Sequence, residues 1–336
     1  MTGSGTPRDR VIAALQGRAA FPVPCVEHGI AAGVIEAAYG VKLPPVTGEP
    51  GSLEYGLTAI GRQKRINELT GRCNVEVPYH WTMAPRILKD GTHNGALTDR
   101  ASLGRLRFVE LTDAHWDTLK RIVDAKGEYA LNVGITTGIG HIWQTMDLEA
   151  FAVATVEDRP LLREILARYT DWTCRVISAC NTIGVDFYWC FDDFAFNTGT
   201  VYSPGLLREV VLPYARQVAA AIELPWIWHS DGNYMAVLDQ IVSLGMNALN
   251  PLEPGCMDIA RIMAAHPHLT LVGNVDVDLL AGGTVEQVRR AVREAFALMG
   301  RPGRYIAASG NSIPSFAIPA NVRAMYEEIA VLSGSR

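Results

Sequence analysis

Short apolar runs alternate with longer amphipathic stretches along this entire 336-residue chain. Runs rich in β-branched and aromatic residues are typical of buried parallel strands, and the amphipathic stretches between them are typical of helices. The runs interpreted as strands, eight in all, are 23–26, 74–78, 129–134, 185–189, 225–228, 246–250, 270–273 and 304–308. Eight βα units predict an α/β fold of the (β/α)8 TIM-barrel type.

The lack of a dinucleotide-binding turn separates this fold from its main alternative. Eight sequential βα units could also form an open doubly wound sheet, but no G-x-G-x-x-G turn follows any of the runs. No Ser/Gly-rich linker or charge block divides the chain. We therefore expect residues 1–336 to form a single barrel domain.

Composition narrows the class of function. The chain is 49% hydrophobic with a net charge of −5 and has no long run of either sign, which disfavours binding to nucleic acid or to an anionic membrane. No apolar run approaches the length of a membrane span, and the six cysteines are scattered without C-x2-C spacing. We expect a reduced, cytoplasmic protein that acts on small molecules.

If the chain is a barrel, its functional side chains follow the carboxyl ends of the strands. The polar and aromatic residues at these positions are expected to share one face. The candidates for catalysis are Asp192, Asp193, His229, Asp231 and Asn311, and the candidates for substrate binding are Glu27, His28, Tyr79, Trp143, Tyr188 and Asn274.

His229 and Asp231 are the central candidates, because residues two apart in an extended turn can point to the same side. They could hold a zinc ion completed by Glu27, Glu76 or Glu253, or they could orient a substrate and move a proton without metal. The alternative is structural, with Asp231 capping a helix that begins just beyond it.

Asp192 and Asp193 form a second candidate pair. Neighbouring carboxyls raise each other's pKa, which gives a group able to donate a proton near neutral pH. Only one of the two needs to face the site, and either could instead stabilise a turn. Asn274 and Asn311 could donate hydrogen bonds to a substrate oxygen or to loop carbonyls.

Aromatic residues accompany these acids, which suggests a substrate class. Rings backed by carboxylates bind methylammonium groups, so a methylated amine is one candidate, although part of the aromatic set would pack in the core instead. The rings concerned are Tyr79, Trp81, Trp143, Tyr188, Trp189, Trp228 and Tyr234.

Several longer segments resemble the uroporphyrinogen decarboxylase-like superfamily, which includes the decarboxylase and corrinoid-dependent methyltransferases such as methylcobalamin:coenzyme M methyltransferase. The segments are RDRVIAALQGRAAFPVP (8–24), DDFAFNTGTVYSPGLLREVVLPYARQV (192–218), WHSDGN (228–233), LVGNVDVDLLAGGTVEQV (271–288), SGNSIP (309–314) and NVRAM (321–325). The resemblance implies the same eightfold barrel.

The sequence departs from the decarboxylase where that enzyme binds its substrate. The N-terminal arginines that hold a propionate-rich tetrapyrrole are replaced by CVEHGI, which contains Glu27 and His28. The family's strand-four serine and strand-eight histidine align with Asp193 and Asn311. A rim without arginine suits a polyanionic substrate badly, so porphyrinogen decarboxylation is disfavoured.

The sequence also departs from the coenzyme M methyltransferases, whose zinc site has the pattern His-x-Cys with a distant second cysteine. This chain keeps the histidine as His229 but has Asp231 in place of the first cysteine, and no cysteine follows Cys256. We therefore expect any zinc ion to be held by nitrogen and oxygen, at His229, Asp231 and Glu27, rather than by sulfur.

The resemblance favours a corrinoid-linked methyltransferase that acts on a small methylated substrate or a methyl-corrinoid protein. The chain has no D-x-H-x-x-G cobalamin motif, so the corrinoid is expected on a partner protein. A carboxy-lyase of the decarboxylase type and a non-catalytic ligand-binding barrel are the alternatives. The superfamily also implies a homodimer.

Overall fold

The computed structural model describes residues 5–18, 22–78, 97–106, 108, 111–146, 148–301 and 303–334. Within these residues the α/β class expected from the sequence is confirmed. The strands are β1 (Asn74–Glu76), β2 (Ala130–Ile135), β3 (Phe187–Phe191), β4 (Ala195–Phe196), β5 (Gly199–Thr200), β6 (Trp226–His229), β7 (Ala248–Asn250), β8 (Thr270–Val275) and β9 (Tyr305–Ser309). Seven of them are parallel and form one sheet in the order β1-β2-β3-β6-β7-β8-β9, and β4 and β5 form a separate antiparallel hairpin.

The run predicted as a strand at 23–26 is not one of these seven. Cys25 instead forms an isolated parallel bridge with Ala307, while its carbonyl accepts a hydrogen bond from the Cys73 N–H at 2.8 Å. Pro22 and Pro24 have no N–H group, so this segment cannot donate a full ladder of hydrogen bonds. The prediction of eight strands is corrected to seven strands and a bridging segment.

Helices connect the strands, and hydroxyl side chains cap several of them. Ser203 accepts a hydrogen bond from the Leu206 N–H, and Thr284 forms a capping box with Gln287. The helices are α1 (Pro7–Leu15), α2 (Ala32–Tyr39), α3 (Leu53–Thr70), α4 (Asp113–Asp124), α5 (His141–Met146), α6 (Leu148–Glu157), α7 (Arg159–Cys180), α8 (Pro204–Leu206), α9 (Leu212–Ala221), α10 (Leu238–Val242), α11 (Ile259–Ala265), α12 (Val277–Gly282), α13 (Val285–Met299) and α14 (Pro319–Ser333).

Side chains alternate between the two faces of the sheet. On β3, Phe187 and Trp189 pack in a small inner cluster with α1, whereas Tyr188 packs in the larger cluster between sheet and helices. Helix α1 contributes Val11 and Leu15 to the inner cluster. The inner face therefore has its own core, and polar groups are concentrated at the carboxyl ends of the strands. None of the described helices is long and apolar enough to cross a membrane.

Candidate active site

Three side chains from the ends of β3 and β6 converge on one point. The ligand atoms of Asp193, His229 and Asp231 all lie within 4.8 Å of one another. The Nε2 atom of His229 is 3.6 Å from Asp193 Oδ1 and 3.7 Å from Asp231 Oδ1. The two residues singled out at the end of the fifth predicted strand thus lie together, and Asp193 joins them from the neighbouring strand.

The orientation of the His229 ring is fixed by Asn250 at the end of β7. The His229 Nδ1 atom lies 2.5 Å from the Asn250 Oδ1 atom, and the Asn250 Nδ2 group donates to the Val272 carbonyl at 3.0 Å. Because the amide nitrogen is used in that bond, Asn250 presents its oxygen to the imidazole, and Nδ1 must carry the proton. In the neutral ring the lone pair of Nε2 then faces two carboxylates.

Asp231 has an unusual electrostatic environment. Its pKa is raised to about 6, mainly by burial and also by the negative charges of Asp193 and Glu253, against the opposing effect of His229. Asn311 donates to Asp231 Oδ2 at 2.6 Å, and the Asp231 N–H donates to Asp193 Oδ1 at 3.1 Å. The carboxyl whose charge raises the pKa of Asp231 is Asp193, so the interacting pair is Asp193 and Asp231 and not the predicted pair of Asp192 and Asp193.

The other member of the predicted acid pair, Asp192, points away from this group. It is fully buried and accepts hydrogen bonds from Thr136 Oγ1 at 2.7 Å and from the Thr137 and Gly140 N–H groups at 2.9 and 3.2 Å. Asp192 therefore holds the turn that follows β2, beside the backbone of Asp193. Any effect of Asp192 on catalysis would therefore come from the position that it gives to this turn.

The structural alternative for Asp231 can also be examined. The side chain that accepts a backbone N–H at the start of the following helical turn is that of Asn233, which takes the Met235 N–H at 3.1 Å. The Asp231 side chain instead lies beside His229 and Asn311. This placement favours the functional interpretation over a helix cap.

A pocket of about 450 Å³ opens above the three residues, and a second of about 510 Å³ adjoins it, sharing Asp231 and Asn311. The described lining of the two pockets contains no arginine or lysine. The first pocket is lined by His28, Glu76, His141, Gln144, Phe191, Asp193, His229, Asp231, Asn311 and Ser312, and the second adds the acids Glu253, Asp276 and Asp278. Both pockets are therefore acidic.

His28 lines the first pocket as a neutral ring. The pKa of His28 is lowered to about 3, mainly by burial and also by the nearby His229 ring. The ring centroid of His28 lies 5.0 Å from that of His229, 5.2 Å from Phe191 and 5.5 Å from Trp189. These rings form an aromatic wall next to the acidic group.

Glu27, predicted as a metal ligand, does not belong to the three-residue group. Its two oxygens accept hydrogen bonds from the Ser309 N–H at 2.9 Å and the Ser309 hydroxyl at 2.5 Å. Burial raises the pKa of Glu27 to about 7. The described group of side chains that could hold a metal ion therefore contains Asp193, His229 and Asp231, and Glu27 is not part of it.

Of the other residues predicted to bind substrate, two hydrogen-bond to backbone carbonyls and one lies on the helix side of the sheet. Trp143 Nε1 donates to the Asp193 carbonyl at 2.8 Å, and Asn274 Nδ2 donates to the Leu252 carbonyl at 2.9 Å. Tyr188 is on the helix side of β3, where its hydroxyl is 2.7 Å from Asn181 Oδ1, so it does not line the pocket. Tyr79 lies outside the described residues.

Sequence reasoning gave no role to several residues that the structure brings to the site. Gln144 and Ser312 line the pocket without having been singled out. Gln144 is three residues after His141 on α5, a spacing that places both on one helical face, so helical periodicity could have found it. Asn250 was visible as the last residue of a strand, but only the fold reveals its contact with His229.

Comparisons with known proteins agree with the architecture. A methyltransferase from Methanosarcina mazei superimposes with a TM-score of 0.73 at 18% identity, over 98% of this chain and 99% of that one. A B12-independent methionine synthase from Shewanella sp. W3-18-1, in complex with selenomethionine, gives 0.63 at 10% identity, over 94% and 99%. At such identities the likeness shows a shared fold.

Sequence comparison identifies the family. A search of curated proteins finds no match. Residues 96–331 match the uroporphyrinogen decarboxylase (URO-D) family, which is more than half of the chain. The resemblance drawn from the segments between residues 192 and 325 is confirmed, and this chain belongs to the uroporphyrinogen decarboxylase (URO-D) family.

Proposed function

We propose that this protein is a zinc-dependent methyltransferase in which Asp193, His229 and Asp231 hold the metal. The observation that carries the proposal is the Nε2 atom of a buried histidine facing two carboxylates at 3.6 and 3.7 Å. A neutral Nε2 lone pair and two negative oxygens repel one another unless a cation lies among them. A metal ion or a proton on the imidazole would supply that charge.

The donor set suits zinc. Imidazole nitrogen and carboxylate oxygen are both zinc ligands, and three protein ligands with one open position are typical of catalytic zinc sites. The contact between His229 Nδ1 and Asn250 is the outer-shell hydrogen bond that metal-bound histidines usually make. When bound, zinc would act as a Lewis acid that lowers the pKa of a group in its open position.

The surrounding residues keep the carboxylates in place. Asn311 donates to Asp231, the Asp231 N–H donates to Asp193, and Trp143 donates to the Asp193 carbonyl. Asp192 anchors the neighbouring turn from below. In this proposal, Asn311, Trp143 and Asp192 position the ligands, and the aromatic wall beside His28 binds the apolar part of the substrate.

The character of the pockets favours methyl transfer over decarboxylation of a tetrapyrrole. A porphyrinogen carries many carboxylates, and the described lining of the two main pockets contains acids without arginine or lysine. The shared fold with a methyltransferase and a methionine synthase supports the same choice. A small neutral or cationic methylated compound is the substrate class that this lining accepts.

We propose that a corrinoid, carried by a partner protein, exchanges the methyl group at the pocket mouth. Phe196 on the β4–β5 hairpin and Phe316 after β9 are 52% and 74% exposed, and Phe196 also lines the outer pocket. Exposed rings beside a pocket are suited to docking. The alternative is corrinoid-free transfer, which the similar fold of the B12-independent methionine synthase supports.

Two further expectations remain proposals. We propose that the seven-stranded sheet is closed into a (β/α)8 barrel by the segment around Cys25, because that segment hydrogen-bonds to Ala307 beside one edge and to Cys73 beside the other. We also propose a single domain that forms a homodimer in the cytoplasm. Analytical ultracentrifugation tests the dimer.

Metal analysis and a methyl-transfer assay test the function together. Purified protein should contain one zinc per chain, and the His229→Ala variant should lose it. The zinc-loaded protein should transfer the methyl group of a small methylated compound to cob(I)alamin, which forms methylcobalamin, and the variant should not. Zinc-free protein at full activity would contradict the metal centre. Conversion of uroporphyrinogen to coproporphyrinogen would replace methyl transfer with the decarboxylase alternative.

A further inference from the structure

Glu27 is a buried carboxyl held beside the end of β9, and the three candidate ligands do not include it. Its N–H donates to Asn74 Oδ1 at 3.1 Å, and its carbonyl accepts from the Nδ2 group of the same side chain at 3.0 Å. Its carboxyl oxygens lie 2.9 Å from the nitrogen and 2.5 Å from the hydroxyl oxygen of Ser309, the last residue of β9. The backbone and the carboxyl of Glu27 are therefore both fixed, and the carboxyl faces Ser309.

The hydroxyl of Ser309 has two partners for its single proton. Its oxygen is 2.5 Å from Glu27 Oε2 and also 2.5 Å from the Asn311 carbonyl oxygen. Each contact of this length needs a proton close to the line between its two oxygens, and a carbonyl can only accept. If Glu27 is ionised, it takes the hydroxyl proton, and no hydrogen remains between Ser309 and Asn311. Both contacts have a proton only when Glu27 is neutral, because it then donates to Ser309 and Ser309 donates to Asn311.

The surroundings of Glu27 favour the neutral form. Burial raises its pKa to about 7, against smaller opposing effects of Ser309, Arg72 and Tyr326. Ser309 opposes the rise only as a donor to the carboxylate, since a hydrogen bond that a neutral carboxyl donates favours the neutral form. The titratable groups around Glu27 are Cys25, His28, Arg72, Glu76 and Tyr326. Arg72 is the one cation of this set, and its Nη2 group donates to the Asn74 carbonyl at 2.9 Å.

The Ser309 hydroxyl is linked to the metal centre through Asn311. The Asn311 Nδ2 group donates to Asp231 Oδ2 at 2.6 Å, and its Oδ1 atom accepts the Ser312 N–H at 2.6 Å. Because both ends of the amide are bonded, the position of the Asn311 backbone determines how its nitrogen meets Asp231. The hydrogen bond from Ser309 to the Asn311 carbonyl holds that backbone. Glu27 is thereby connected to Asp231 through Ser309 and Asn311.

We propose that Glu27 is a positioning residue that acts as a carboxylic acid: it donates its proton to the Ser309 hydroxyl, Ser309 donates to the Asn311 carbonyl, and Asn311 holds Asp231 in place. When Glu27 loses its proton, the Ser309 hydroxyl turns toward the carboxylate and releases the Asn311 carbonyl. The location of the proton rests on the geometry of Glu27, Ser309 and Asn311. Its effect on zinc binding rests on the proposed function.

Carbon-13 NMR of the metal-free protein tests the location of the proton. The Glu27 carboxyl signal should be that of a neutral acid at pH 6 and should titrate near pH 7, and the Asn311 carbonyl signal should move in the same step. In Glu27→Gln the amide can donate to Ser309 at every pH, so the Asn311 carbonyl signal should lack that step. A Glu27 carboxyl already ionised at pH 6, or an Asn311 carbonyl that does not follow its titration, would overturn the proposal.

Zinc affinity, measured by competition with a chelator, tests the link to Asp231. Wild type and Glu27→Gln should bind zinc equally at pH 6, and wild type should bind about fivefold more weakly at pH 8, which is the factor that one hydrogen bond contributes. Ser309→Ala should bind about fivefold more weakly at both pH values. Ser243→Ala is the matched control, because its exposed hydroxyl donates to the Gln240 carbonyl, and it should match wild type.

The two measurements separate this proposal from the proposed function. Absence of zinc binding in wild type would sink the proposed metal centre, and the NMR titration would then decide the role of Glu27 alone. Equal zinc affinity of wild type and Glu27→Gln at pH 8 would overturn the positioning role, as would a Ser309→Ala variant that binds zinc as tightly as wild type.

Discussion

The imidazole of His229 and the amide of Asn250 face each other across neighbouring strands, with 2.5 Å between Nδ1 and Oδ1. The amide is itself held by the Val272 carbonyl on the next strand. Three strands thus cooperate to direct one nitrogen lone pair toward Asp193 and Asp231. The site depends on sheet register as much as on the identity of its ligands.

Asn250→Ala should weaken zinc binding by about 10–100-fold, because His229 loses the outer-shell acceptor that fixes its tautomer and ring orientation. Competition with a chromophoric chelator measures the affinity. Asn274→Ala is the matched control, since its amide donates to the Leu252 carbonyl and contacts none of the three ligands. Equal affinity in wild type and Asn250→Ala would remove Asn250 from the site.

Zinc affinity should fall as pH is lowered through about 6. Asp231 has a pKa raised to about 6 mainly by burial, and a carboxyl binds metal only after losing its proton. Below that pH each unit should cost about tenfold in affinity from this group alone. Asp231→Asn should bind zinc more weakly and with a flatter pH profile. A profile unchanged by the substitution would show that Asp231 is not a ligand.

Strand ends were predictable because the alternation of apolar runs is local, and His229 and Asp231 followed from it. The site's third member was harder to predict. The fourth run was interpreted as ending at residue 189, yet β3 continues to Phe191, so Asp192 and Asp193 directly follow the strand. Which of the two acids faces inward depends on Thr136 and Thr137, more than fifty residues away in sequence.

The orientation of Tyr188 was also not predictable from the sequence alone. In a strand, neighbouring side chains point to opposite faces, so Tyr188 and Trp189 could not both reach the pocket. The sequence alone leaves open which of the two does, because both faces of this sheet are apolar. In the structure Tyr188 is on the helix side, where its hydroxyl is hydrogen-bonded to the Ile177 carbonyl of α7 and to Asn181 Oδ1 at the end of that helix.

Glu27→Gln should make the metal-free protein more stable than wild type at pH 8 and leave it similar at pH 4. The folded-state pKa of Glu27 is raised to about 7 by burial, above its value of about 4.3 in the unfolded chain. Wild type therefore loses about 3–4 kcal/mol of stability as pH rises between these values, since each pKa unit corresponds to about 1.4 kcal/mol. The glutamine amide can still bond Ser309. Urea unfolding at both pH values measures the difference, and a constant difference would refute the argument.

Gly140→Ala should weaken zinc binding without touching a ligand side chain. A Cβ atom at Gly140 would lie 2.7 Å from the Asp192 carbonyl carbon and from the Asp193 nitrogen, and these backbone atoms cannot rotate away. The turn carrying Asp193 must therefore shift, at a cost of about 1–3 kcal/mol in stability. Gly61→Ala, on an open surface of α3, is the matched control and should stabilise the helix by about 0.5–1 kcal/mol. We expect at least a tenfold loss of zinc affinity in Gly140→Ala and none in the control. The substitution should displace Asp193. If Gly140→Ala is destabilised but binds zinc with unchanged affinity, Asp193 is not a ligand.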